Sequence, residues 1–142
     1  MKTDYSKHAA VWDWDGYDRS DEFEFWCKMS SRYGENVLSA MGAIGQAGQY
    51  MTRRGYAVTV IDYTPEMIAE GKRRYSNSSL VFIKKDICDF VLPQKNYDFC
   101  FIASGDLHLL PSSEAVTAAL KNIHLHLQPG GGLGLELHSP SK

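Results

Sequence analysis

An α/β fold with a mostly parallel sheet is what this 142-residue chain predicts, and three observations predict it. From residue 36 onward, short apolar runs of buried-strand character alternate with amphipathic segments. The connections between them are short, as in βαβ units with right-handed crossovers. Glycine, proline or a capping residue marks most of the junctions. The length predicts one domain, 1–142, able to bury roughly 70% of its unfolded surface.

Each element has a local cause. Phe23, Trp26 and Cys27 recur at helical spacing, Ser20 is placed to cap, and Asp21 and Glu22 complement the first-turn dipole, so a helix is expected over 20–32, ending at Gly34. Residues 36–41 read as the first strand, followed by a glycine-bearing turn and a helix over 46–54. AVTVID, 57–62, is β-branched and reads as the second strand. Thr64-Pro65-Glu66 supplies an N-cap, a proline at N1 and an acid in the first turn of a helix that runs to about Tyr75. LVFI, 80–83, and YDFCFI, 97–102, are the third and fourth strands. Ser113 is placed to cap a helix whose apolar stripe falls at Val116, Ala119, Leu120, Ile123 and Leu127. Pro129 and Gly130 to Gly132 end it, and LGLEL, 133–137, is the fifth strand. The first 35 residues form an N-terminal helical segment ahead of a core over 36–138.

Composition narrows the function classes. The chain carries 15 basic and 17 acidic residues with 44% hydrophobic content, which is globular and gives no electrostatic reason for an obligatory nucleic-acid partner. A small-molecule partner is expected instead. Cys27, Cys88 and Cys100 are an odd set with no Cys-x-x-Cys spacing, arguing against a disulfide framework or a zinc knuckle and for a reducing cytoplasm. No apolar run approaches the ~20 residues needed to span a bilayer. His124 and His126 are two apart on a helix and so on different faces, and no metal site is expected.

The chemistry is concentrated in VLSAMGAIGQAGQYM followed by VTVID. Glycines between a strand and a helix let a ligand approach the backbone, and Asp62, ending the next strand, can accept two ribose hydroxyls; together they describe a nucleoside cofactor. Gly42-x-x-Gly45-x-x-Gly48 admits an NAD(P) reading, though such domains usually begin at this strand. The blocks GYAVTVIDYTPEM, VFIKKDICDF, YDFCFIASGDLHLLPS and HLQPGGGLGLEL, in this order and at these separations, resemble the class I S-adenosylmethionine (SAM)-dependent methyltransferases from about Asn36 to Leu137. The resemblance implies a Rossmann-like sheet of order 3-2-1-4-5 with helices on both faces, and SAM as cofactor with S-adenosylhomocysteine (SAH) as product.

It also implies roles. Gly42 and Gly45 would lie beside the methionine part of SAM, Asp62 would bind the ribose, and Tyr63 and Met67 would flank the adenine. Asp86 would accept from the adenine amino group, Ile87 would supply a backbone amide, and Ala103 and Ser104 would lie under the sulfonium. Asp106 and His108, in the loop after the fourth strand, are the candidate catalytic groups near the acceptor. Tyr5, Trp12, Trp14 and Tyr17 could form an aromatic lid. The departures are Ser39 where an acidic residue usually ends the first strand, and Met41 and Ala43 in place of two glycines. Family members also continue into a sixth and a seventh strand. The expectation is therefore a methyltransferase for an unidentified small acceptor, with a truncated or degenerate binding module as the alternative and an NAD(P)-binding domain third. An uncovered fifth-strand edge would pair with a second copy through 133–138, giving a homodimer, unless the C-terminal tail folds over it.

Overall fold

The structure, a computed structural model, describes residues 4–12 and 16–140. A 3₁₀ turn over Ser6–Val11 precedes α1 (Ser20–Ser30), β1 (Asn36–Ala40), α2 (Gln46–Thr52), β2 (Ala57–Asp62), α3 (Pro65–Arg74), β3 (Val81–Lys84), β4 (Tyr97–Ile102), α4 (Ser113–His126) and β5 (Leu127–Leu135). The five strands form one sheet of order β3-β2-β1-β4-β5, and every pairing is parallel. The change of direction falls between β1 and β4, which opens a crevice at their C-terminal ends.

Strand alternation sorts the core into two layers. Leu38, Ala40, Ile61, Cys100 and Ile102 pack with Ala119 and Ile123 of α4 on one face. Val37, Val58, Val60, Phe99 and Phe101 pack with Trp26, Met51 and Ile68 of α1, α2 and α3 on the other. Two buried polar contacts lie within the layer on the α4 side. Tyr97 and Thr59 join hydroxyls at 3.0 Å across the sheet. His126 Nε2 accepts the Leu92 amide at 3.0 Å, which leaves Nδ1 to donate to the Asn122 carbonyl at 2.7 Å.

Three local expectations change. The α1 N-cap position is Arg19, and it is Asp18 that accepts the Ser20 amide, at 2.9 Å, because an aspartate two residues upstream reaches the backbone better than a serine already in the first turn. The cap of α4 is Ser112, whose hydroxyl accepts the Ala115 amide at 3.1 Å, rather than Ser113. β5 begins at Leu127 and ends at Leu135 instead of spanning 133–137. Leu127 already pairs with Tyr97, and the Pro129–Gly131 run is absorbed as an irregularity before Phe99 pairs with Gly132.

β5 is also better covered than its sequence suggests. A Cβ at Gly134 would lie 2.7 Å from the Trp26 ring and 2.9 Å from Phe99, and one at Gly132 would lie 2.5 Å from Tyr33. The two glycines make room for aromatics brought by α1 and the turn after it, so the face opposite α4 is filled. Asp98 is more than a turn residue: its carboxylate accepts the Asn36 amide at 2.9 Å and the Gln128 side-chain amide, stitching the starts of β1 and β5 to β4.

Candidate functional site

Two adjoining clefts occupy the crevice at the strand C-terminal ends. The first is lined by Asp62, Tyr63, Thr64 and Met67 from the β2–α3 junction, by Asp86 and Ile87 after β3, and by Leu109, Leu110 and Pro111 ahead of α4. Tyr5 and Trp12 close its mouth, their rings edge to face at 5.6 Å between centroids. The second, about 280 Å³, lies over the β1–α2 loop and the end of β4, with Arg19, Glu22 and Phe23 of the α1 region as its far wall. Trp12, Met41, Ala43 and Asp106 line both, so the two clefts meet there.

Asp62 organises the loops around the first cleft. Oδ2 accepts the Ala43 amide at 2.9 Å and Oδ1 accepts the Thr64 amide at 3.0 Å. Burial holds its carboxyl above the usual carboxylate range, opposed by these two backbone donors and by the Thr64 side chain. Met67 and Ile87 are buried and give the cleft an apolar floor, while Asp86 accepts the Cys88 amide at 2.9 Å.

The β1–α2 loop shows what its substitutions do. Met41 and Ala43 sit at φ 53° and 51°, a region that favours glycine and costs other residues roughly 1–2 kcal/mol each. The Asp62 bond to Ala43 holds that strained conformation in place. Gly42 lines the second cleft, and its lack of a side chain has a packing cause: a Cβ there would lie 2.6 Å from Val60 and 2.8 Å from the Ser39 hydroxyl. Gly45, at φ 85°, is the N-cap of α2 and packs on Phe82; it lines neither cleft.

After β4, Ala103 and Ser104 line the second cleft. Ser104 and Gly105 turn the chain through the left-handed region, which carries Asp106 back over the junction of the clefts. Desolvation, then the charges of Asp62 and Glu136, push the Asp106 carboxyl up to about 6, with His138 pulling the other way. His108 lines neither cleft; it is exposed, accepts the His138 amide at 3.1 Å and stacks on the His138 ring. Of the aromatic lid residues, Tyr5 and Trp12 stand at the cleft, Tyr17 is 71% exposed beneath the Arg19 guanidinium, and Trp14 lies outside the described residues.

Sequence reading missed Arg19, Glu22, Gln46 and Leu109 to Pro111 as cleft residues. Glu22 had been explained by the helix dipole, and no spacing in the chain places the first turn of α1 opposite β4. Glu22 meets Glu136 across the second cleft, and burial together with that second carboxyl raises its pKa. Glu136 in turn accepts the Ser104 amide at 2.9 Å.

Comparison with known proteins agrees with this geometry. A demethylmenaquinone methyltransferase of Chlamydia caviae is 37% identical over 83 residues, which is 58% of this chain and 34% of that protein. The putative methyltransferase YqeM of Bacillus subtilis is 24% identical over 123 residues, covering 86% of this chain and 50% of its own. The chain thus spans between a third and a half of the length of these curated relatives. Among solved structures, SAM-bound CalS10, an amino pentose methyltransferase of Micromonospora echinaspora, shares the fold with a TM-score of 0.80 at 19% identity over 98% of this chain and 59% of its own. No helix among the described residues is long and apolar enough to cross a membrane. The family profile described as "Methyltransferase domain" matches residues 37–131, from the first residues of β1 through the glycine run of β5, and with both the sheet and the crevice in place the chain belongs to that family.

Proposed function

We propose that the chain binds SAM in the paired clefts and supports methyl transfer to a small-molecule acceptor. The observation that carries this reading is the carboxylate of Asp62, placed at the end of β2 as part of the lining of the first cleft, where the Ala43 and Thr64 amides fix its orientation. The lining suits an adenosine: Tyr63, Met67 and Ile87 form apolar walls for a base, Asp86 stands at its polar edge, and Asp62 receives the ribose hydroxyls. Gly42, Ala103 and Ser104 then border the sulfur end in the second cleft, with Gly45 acting through the α2 N-terminus rather than by contact. SAM, when bound, supplies an electrophilic methyl group on a sulfonium.

The protein's own contribution is orientation and exclusion of water. Tyr5 and Trp12 cover the first cleft, and the Ser6–Val11 turn is held against α3 by the Ala10 carbonyl, which accepts from Arg74 Nη2 at 3.0 Å. This N-terminal segment is the lid of the domain. Of the two candidate catalytic groups, Asp106 occupies the junction where transfer takes place, and His108 positions the strand-end loop by holding the His138 amide. A small-molecule acceptor suits the second cleft, and the methyltransferases among the relatives support that class. The reducing cytoplasm expected from the cysteines fits such an activity. The assembly that accompanies it is a homodimer formed through the outer edge of β5, which pairs with no described strand beyond β4.

Calorimetric titration with SAH and with NAD tests the reading. SAH is expected to bind and NAD to give no heat. Asp62→Ala removes a buried charged acceptor worth roughly 1.5–3 kcal/mol and is expected to weaken SAH about ten- to a hundredfold. Equal affinity in wild type and variant would overturn the ribose assignment.

A further inference from the structure

We propose that residues 136–138 form a clasp over the loop after β4, and that a proton gained by His108 opens it, so that acidity sets whether Asp106 is held at the junction of the clefts. The loop needs holding. Ser104 and Gly105 pass through the left-handed region at φ 59° and 67°, which an L side chain such as that of Ser104 rarely adopts, and a 3₁₀ turn over Asp106–Leu109 follows at once. What this loop presents is a wall of both clefts: Asp106 lines the two of them, and Leu109 and Leu110 line the first.

Three hydrogen bonds fasten the tail to it. The Glu136 amide donates to the Ile102 carbonyl at 3.1 Å, and the Glu136 carboxylate accepts the Ser104 amide at 2.9 Å. Two residues on, the His138 amide donates to Nε2 of His108 at 3.1 Å, and the two imidazole rings stack with their centroids 5.4 Å apart. Gly105 is buried, and a Cβ there would run into the His138 ring, so the tail lies directly on the turn.

Histidine is the side chain whose charge ordinarily changes between about pH 5 and pH 8. To accept the His138 amide, the His108 ring must be neutral with its proton on Nδ1. A further proton goes on Nε2, the accepting atom itself, and the hydrogen bond is replaced by two N–H groups pointing at each other. An imidazolium then lies against the His138 ring. The other charged groups around the clasp act less directly. Asp106 faces Glu136, His138 and Asp62, and Glu22 with Arg19 faces Glu136 from α1. A proton gained by His138 is drawn toward the carboxyls and favours closure, while one gained by Asp106 weakens that pull. Neither falls on the atom that makes the contact, as the His108 proton does. The clasp involves only the loop and the tail, and it holds whether or not the clefts take SAM.

The experiment is an NMR titration of the full chain without ligand, labelled with ¹⁵N in the backbone and the imidazoles, from pH 7.5 to pH 5. At pH 7.5 the His108 ring is expected to carry its proton on Nδ1, and the His138 amide to exchange with water at least about fivefold more slowly than in an unstructured chain. As His108 takes up its proton, that protection should fall to within about twofold of the unstructured rate, and the Ser104 and Asp106 amide resonances should move along the same curve. His108→Gln supplies an amide oxygen as acceptor and does not titrate, so it is expected to keep the protection at both pH values. A His138 amide that stays protected after His108 is protonated would overturn the inference, as would a neutral His108 ring with its proton on Nε2. Release in His108→Gln at pH 5, matching wild type, would also overturn it, because Asp106 or His138 would then be the switch. The wild-type titration needs no variant and decides the matter if His108→Gln fails to fold.

Discussion

At the scale of the residue, carboxylates held above their ordinary range surround the clefts. Asp62 and Asp106 both lose solvation, and Asp106 also feels Asp62 and Glu136. Each is thermodynamically awkward where it stands, which is the usual signature of a group kept for chemistry rather than for stability. The linkage has a definite sign. The folded-state value for Asp106, about 6, lies above the ordinary aspartate value of 3.8, so its contribution to stability is fully present below pH 3.8 and is lost as pH rises through 6. Asp106→Asn removes that penalty and is expected to stabilise the protein by about 1–2 kcal/mol at pH 8, allowing for screening at a partly exposed group. Melting curves at pH 8 and pH 4 check this: the variant should melt higher than wild type at pH 8 and equally at pH 4. Asp62 was legible in the sequence because a strand end followed by Thr-Pro-Glu fixes its place. Asp106 was legible as a candidate, but its position between two clefts depends on the turn through Ser104 and Gly105, which no pattern in that loop announces.

At the scale of the element, the strands were legible almost to the residue wherever β-branched or aromatic runs were buried on both faces. AVTVID and YDFCFI coincide with β2 and β4. β5 was legible only in its second half, because Pro129 and three glycines imitate a loop while the parallel pairing to Tyr97 and Phe99 draws them into the sheet. Gly134, further along the strand, has a partner that sequence order conceals. Trp26 stacks on Phe101 at 4.9 Å and is 2% exposed, in the space that a side chain at Gly134 would need. Gly134→Ala is expected to destabilise the fold by about 1–3 kcal/mol through overpacking. Denaturant titration measures it, and an unchanged midpoint would show that Trp26 can yield. The same packing delivers the first turn of α1, with Arg19 and Glu22, to the second cleft.

At the scale of the molecule, β5 leaves one hydrogen-bonding edge with no described strand beside it, and Leu133 on that strand and Leu137 just past its end are 36% and 56% exposed. Leu135 packs into the α4 layer, so a charge there would unfold the core, and Leu133 is the position that tests the edge alone. Light scattering is expected to give a dimer mass at tens of micromolar, reduced to a monomer in Leu133→Lys; a wild-type monomer at that concentration would refute pairing through this edge. The sequence by itself determined the fold class, the sheet order implied by its family blocks, and the Asp62 half of the cofactor cleft, because periodicity, capping chemistry and the strand-end carboxylate are local properties of neighbouring residues. The tertiary structure alone decided that α1 walls the second cleft, that Gly45 serves helix geometry while Asp106 faces the junction, and that Glu22 meets Glu136 from more than a hundred positions away. Such juxtapositions come from packing between distant segments, and a side chain's neighbours across a sheet leave no mark in the spacing of its own strand.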